Sequence, residues 1–257
     1  VGYGFPLSGK DRTPAWISER MLREYFLTTF EAAVAAGSPS VMVNSGEIDG
    51  IPGHANYHLL TEVLKGEMKF KGFVVSDWED IKRLYARDRV ATSPKDAVRM
   101  GVMAGIDMSM VPYDFSFYDL LLECVKDGSV PLSRIDDAVT RILSVKFQLG
   151  LFYNPYPDKK LRERFAAKEF TQANLDAARE CITLTKNEKN LLPLSKTSKV
   201  LITGPTATSL SAMNGGWTIT WQGDDEKLYP KDKPTLLQAI QEKMGKENVA
   251  YVPGSSF

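Results

Sequence analysis

Asp77 follows a short apolar run, Phe73-Val74-Val75-Ser76, and precedes an indole, Trp78, in the stretch KGFVVSDWEDI at residues 71–81. A carboxylate in that place is either a turn or helix-cap residue, or a nucleophile exposed where a buried strand opens to a ligand. Trp78 favours the second reading, because a sugar ring stacks its C–H face on an indole while its hydroxyls seek carboxylates and guanidinium groups. Arg83 is near enough in sequence to face the same cleft, with a surface cation as the alternative. A second unusual stretch is NGGWTITWQGDD, residues 214–225, where two glycines precede Trp217 and Trp221. Adjacent glycines free the backbone to project as a loop; a hairpin with buried indoles is the other reading.

Other chemistry-bearing residues carry weaker signals. Glu47 and Asp49 lie in a loop after an apolar run, as substrate contacts or as solvated charges. His54 and His58 in HANYH have the four-residue offset of zinc ligands on a helix, but the Glu that should follow the first His is absent and no third ligand is near. No metal or cofactor is expected. LITGPTATSLSAMNGG holds neither of the glycine patterns that cradle phosphates, and reads as a strand-to-helix turn. Cys124 and Cys181 read as two separately buried thiols, with one disulfide as the alternative.

These residues need elements to position them. Helical spacing predicts helices over 18–36 behind a Ser18 cap, 56–69, 94–104, 116–127 and 133–149, the last entered at Ser133 and stopped by Gly150. Apolar runs at VMV, at 72–76 and at IDMSM read as strands, with a long polar loop between Asp77 and Pro94. Strands rich in Val, Ile and Met that alternate with helices argue for parallel βαβ units, whose ligands gather at the carboxyl ends of the strands. Asn44, Asp77 and Ser109 fall near such ends. Residues 151–170, with two prolines and clustered charge, read as a linker. Beyond it come a helix at 172–185, a strand before Gly204-Pro205, a helix at 235–243 and a strand at NVAYV. The expected domains are 1–150 as part of one α/β domain and 171–257 as the start of a second.

Composition sets outer limits. Of 257 residues, 43% are hydrophobic and 25% charged, which is ordinary for a globular chain. Lys plus Arg and Asp plus Glu balance at 32 each, so no basic field points to nucleic acid or an anionic membrane. No apolar run approaches the ~20 residues of a membrane span, and no signal peptide is visible. The opening VGYGFPLSGKDR reads as the interior of a longer chain.

Several motifs together resemble one family. GFVVSDW is similar to the nucleophile segment of glycoside hydrolase family 3, and GGWTITWQG to the second-domain tryptophan loop of its two-domain β-glucosidases and β-glucan exohydrolases. GYGFPLSGKDR, VMVNSGEIDG, LLTEVLKGEMKFKGFVVSDW, AGIDMSM, SRIDDAVTRIL and LTKNEKNLLPL follow in the family's order. The resemblance implies the C-terminal part of a (β/α)8-type barrel followed by the start of an α/β sandwich. It implies Asp77 as catalytic nucleophile, Trp78 and Trp221 as two sides of an aromatic clamp, and Arg83 lining the same place. The implied activity is retaining, exo-acting hydrolysis of β-glycosides, most simply glucose release from β-glucan or cello-oligosaccharide ends. A β-xylosidase, a β-N-acetylglucosaminidase or a non-catalytic carbohydrate-binding remnant are the alternatives. A periplasmic or secreted location is suspected from the family, and a homodimer stays open. Ser45 stands where some plant members carry Tyr, so with Glu47 it is a candidate substrate contact on an altered cleft wall. The family's Lys-His pair and hydroxyl-binding Asp and Arg would lie upstream of Val1, and its acid/base glutamate downstream of Phe257.

Overall fold

The structure, a computed structural model, describes residues 1–2, 7–10 and 12–254. Part of the GYGFPLSGKDR motif, and the last residues of the chain, lie outside the described residues. The chain divides into two compact units, Val1–Arg164 and Phe165–Phe257. Each is an assembly of helices with parallel strands, which makes the fold α/β.

In the first unit the strands are short. β1 (Ser40–Met42) pairs in parallel with β4 (Phe73–Val75), with Val41 opposite Val74. β2 (Glu47–Ile48) and β3 (Ile51–Pro52) form a small antiparallel ribbon between them. The expected third strand, IDMSM, is reduced to a single parallel bridge from Met108 to Val75. The reason is local: the backbone N–H of Val74 donates to Asp107 Oδ2 at 2.8 Å, so a side chain occupies the place of a ladder carbonyl.

Helices surround these strands. α1 spans residues 19–35, with Ser18 accepting from Met21 N and Leu22–Leu27 wound as a π-helix. α2 (His58–Glu67) is also π-wound and buries Leu60, Val63 and Leu64. The segment expected to be a long polar loop instead contains α3 (Asp80–Ala86). Ile81 and Leu84 are its buried face, and one apolar pair in a charged run gives too little periodicity to register. α4 (Pro94–Ala104) is entered at Ser93 with Pro94 in its first turn. α5 (Ser116–Lys126) and α6 (Leu132–Gln148) follow, α6 starting one residue before Ser133, with Pro131 at its cap.

Val43, Leu60, Leu64, Phe70, Val74, Ile81, Val98, Val102 and Ile106 form one core that joins the strands to α2, α3 and α4. Gly72 sits where β4 begins, and a Cβ there would collide with Pro39 O, so no larger residue admits this approach of β4 to the β1 entry. Cys124 is buried in this core. Cys181 is not: it ends α7 (Lys168–Cys181), a helix that buries none of its residues, which corrects the expectation of two buried thiols.

In the second unit, β5 (Val200–Thr203) and β6 (Val249–Val252) pair in parallel with Ile202 opposite Tyr251. α8 (Leu210–Asn214) is short; α9 (Leu236–Met244) opens with a capping box of Thr235 and Gln238. Ile202, Ala207 and Val249 form its core with Leu237 and Ile240 against them. Among the described residues, no helix is long and apolar enough to cross a membrane.

Candidate active site

β4 carries the site because its register delivers Ser76 and Asp77 to the carboxyl end of the parallel pair. Ser76 is fully buried and pins the turn: its N–H donates to Met108 O at 2.9 Å and its Oγ accepts from Met110 N at 2.8 Å. Asp77, one residue on, keeps 24% of its side chain exposed. Its Oδ2 accepts from Ser45 Oγ at 2.6 Å, its Oδ1 accepts from Trp78 N at 2.6 Å, and Arg12 Nη2 stands 3.8 Å from Oδ2. Partial burial is the largest influence on this carboxyl and pushes its pKa up. The bonds from Ser45 and Trp78 N, with Arg12 behind them, outweigh it, and the pKa ends below the usual carboxylate value. Asp77 is therefore an anion at neutral pH, held so first by neutral donors and then by a cation.

His54 positions the backbone of the same residue. Its Nε2 accepts from Asp77 N at 3.0 Å, which assigns the ring proton to Nδ1. Burial lowers the His54 pKa to about 4, so the ring is neutral. His58 lies on α2 with Glu62 and Glu19 as partners, and the two histidines share none of them. Among the described residues, no group of His, Cys, Asp and Glu side chains is gathered as a metal ion would require.

Trp78 is 44% exposed and meets Tyr113 edge to face, ring centres 5.9 Å apart. The chain then turns through Glu79 in the left-handed region (φ 61°) to enter α3. Lys82 bridges Glu79 at 3.2 Å and Asp114 at 2.7 Å, which ties the Tyr113 loop to α3. Arg83 gives its Nη1 to Asp80 Oδ1 at 2.5 Å. Asp80 is buried, and Ser45 Oγ contacts its Oδ2 as well as that of Asp77. Arg87 donates to Ser45 O at 3.0 Å.

Ser45, Asp77, Trp78 and Arg83 thus gather at one end of β1 and β4. Glu47 is held in β2 opposite Pro52, with no hydrogen bond or ion pair to Asp77 among the described residues. Asn44 is engaged locally, accepting from Gly46 N at 2.9 Å and donating to Val1 O at 3.0 Å. Ser109 Oγ is buried without a hydrogen-bond partner among the described residues. In the second unit, Trp217 N donates to Trp221 O at 3.0 Å, closing a loop that leaves Trp221 65% exposed and Trp217 more so. The loop is not a hairpin over buried indoles. Sequence reasoning missed Asp80, His54 and Arg12 as neighbours of Asp77.

A parallel α/β unit that presents an anionic aspartate and an exposed indole at its strand ends has the form of a sugar-processing site. The glycosyl hydrolase family 3 N-terminal domain matches residues 1–145, and the chain belongs to that family. It is 46% identical over 98% of its length to a lysosomal beta glucosidase of Dictyostelium discoideum, covering 32% of that protein. It is 40% identical over 80% of its length to a putative beta-xylosidase of Formosa agariphila, covering 27% of it. An exo-1,3/1,4-beta-glucanase from a Pseudoalteromonas species matches all of the chain with 32% of its own length, at a TM-score of 0.83 and 30% identity. The chain spans about a third of the length of the curated relatives it matches.

Proposed function

We propose that this chain supplies the nucleophile of a retaining, exo-acting β-glycoside hydrolase, of β-glucosidase type. The observation that carries the proposal is Asp77: an anion at a strand end, partly exposed, with three partners that fix both of its oxygens. In this reading Asp77 attacks the anomeric carbon of a β-glycoside, and the aglycone oxygen leaves with a proton from a second, acid/base carboxyl of the full-length protein. Water then cleaves the glycosyl ester with configuration retained, returning a proton to that carboxyl. The charge that attack requires is what the donors at Ser45 and Trp78 N preserve. No metal or cofactor enters these steps. Trp78, Arg83 and Trp221 are proposed as substrate contacts. Arg83 in this role acts from its hydrogen bond to Asp80 Oδ1, which leaves 29% of its side chain exposed. Ser45 would act on substrate through Asp77, and Glu47 sits outside the hydrogen-bonded group.

The finer architecture belongs to the same proposal: residues 1–150 as part of a (β/α)8-type barrel, 151–170 as linker, and 171–257 as the start of an α/β sandwich. Glucose is the favoured sugar from the beta glucosidase relative. Xylose is the second reading, favoured by the xylosidase likeness at 40% identity. Paired assays on aryl β-glucoside and β-xyloside with the full-length protein separate them. An activated 2-fluoro glycoside tests the nucleophile: peptide mapping should find the label on Asp77, and a label on Glu47 overturns the assignment.

A further inference from the structure

Ser45 Oγ lies within hydrogen-bond reach of two carboxyl oxygens, Asp77 Oδ2 at 2.6 Å and Asp80 Oδ2. A serine hydroxyl carries one hydrogen, and ionised carboxylates are acceptors only. With both aspartates ionised, one of these contacts would set lone pair against lone pair beside two like charges. One further proton resolves the geometry. We infer that Asp80 is a positioning residue that carries its own proton, donating Oδ2–H to Ser45 Oγ while Ser45 donates to Asp77 Oδ2. The inference rests on the reading of Asp77 as nucleophile only for its consequence, since the proton count stands without it.

The surroundings decide which carboxyl holds the proton. Asp80's side chain is 0% exposed against 24% for Asp77, and charge is costlier where water is absent. Asp77 has Trp78 N and Arg12 to stabilise its anion. Facing Asp80 are Arg83 on α3, whose bond falls on Oδ1, the oxygen that stays an acceptor in the neutral acid; His54 Nδ1 at 3.9 Å, on a neutral ring; and Asp77 itself. Arg87 stands behind Ser45 and is paired to Asp88 at 2.6 Å, with Glu47 also in its field. Burial, the largest influence, raises the Asp80 pKa against the opposing pull of Ser45, Arg83 and Arg87. Full burial also denies Asp80 the part of acid catalyst, because it has no path to a glycosidic oxygen. What it does is fix the Ser45 hydroxyl so that its one hydrogen points at Asp77.

The test uses the full-length protein, the acid limb of kcat/KM against pH, and infrared spectra with carbon-13 aspartate. Ser45→Ala should move the acid limb to higher pH by about one to two units, the loss of a hydrogen bond to a charged group. Asp80→Asn replaces one neutral donor by another and should leave the acid limb in place, while abolishing a carboxylic-acid carbonyl band present in the unsubstituted protein at neutral pH. An acid limb displaced to lower pH in Asp80→Asn would mean that a buried negative charge had been removed, and overturns the inference. So does an acid band that is absent in the unsubstituted protein or survives Asp80→Asn. Should that variant not fold, Ser45→Ala decides: the acid band must shift when its acceptor is gone, and an unmoved band overturns the inference. A protein inactive on every glycoside would defeat the glycosidase reading, and the infrared band would still report the proton.

Discussion

Asp77 and Asp107 stand beside the same strand and have opposite fates. Asp107 is 0% exposed at its side chain; its Oδ1 takes Lys65 Nζ and Arg134 Nη2, each at 2.7 Å, and its Oδ2 takes Val74 N at 2.8 Å. Two cations and a backbone donor fill it completely. Among the described residues Asp77 has the Ser45 hydroxyl, the Trp78 backbone N–H and the Arg12 cation at 3.8 Å, and an edge open to solvent. A carboxylate whose charge is fully matched is part of the scaffold, whereas one left under-matched but held ionised has charge to offer a ligand. The strand body and the strand end divide along that line.

The comparison breaks first at Asp77. In the full-length protein, Asp77→Asn should lower turnover by at least about three orders of magnitude, because no covalent intermediate can form, while urea unfolding changes by less than about 1 kcal/mol. A large loss of stability in this variant would put Asp77 with the scaffold. Asp107→Ala should do the reverse. Stranding Lys65 and Arg134 in the interior should cost about 3–5 kcal/mol by urea unfolding, with activity per folded molecule kept. Unaltered stability would show that its ion pairs are dispensable.

His54 sharpens the contrast through pH. Its folded pKa of about 4 lies below the ordinary 6.5, so the unfolded chain takes up a proton in that window and the folded chain does not. The stability that neutral His54 contributes is full above pH 6.5 and falls as the pH drops towards 4. The whole span is worth about 3 kcal/mol. His54→Gln keeps an acceptor for Asp77 N and removes the titration, so the stability gap between the two proteins should change across that window. A constant gap would show that His54 is not buried neutral. The smallest effect belongs to the indoles. Trp78→Ala, or separately Trp221→Ala, should weaken oligosaccharide use about two- to tenfold while sparing a glycosyl fluoride, since stacking contributes about 0.5–1.5 kcal/mol. Equal losses on both substrates would remove the aromatic rings from the substrate's path.

The sequence carried the parts of this picture that local pattern encodes. α1, α4, α5 and α6 follow from apolar spacing, and β4 with Asp77 at its end follows from an apolar run that meets a carboxylate. α3 was hidden because its two buried apolar residues, Ile81 and Leu84, sit among charges. The bridge at Met108 replaced a strand because the Asp107 side chain stands in for a backbone acceptor, which no propensity records. Ser45 and Asp80 meet across 35 residues of chain, a distance over which spacing says nothing. His54 drew notice for its offset from His58, yet its partner is Asp77 N, 23 residues on.

Arg141 of α6 gives the last consequence. Its Nη1 donates to Phe70 O at 2.9 Å and to Gly72 O at 3.0 Å, clamping the chain where β4 begins. That clamp is encoded about seventy residues after the strand it holds. A ribosome adding about 5–20 residues per second therefore exposes the β4 segment for several seconds before the arginine that fastens it has been made. Over that interval β4 goes without this clamp. Slowing translation between residues 72 and 141 lengthens the period in which the apolar run Phe73-Val74-Val75 is open to chaperones and to neighbouring chains.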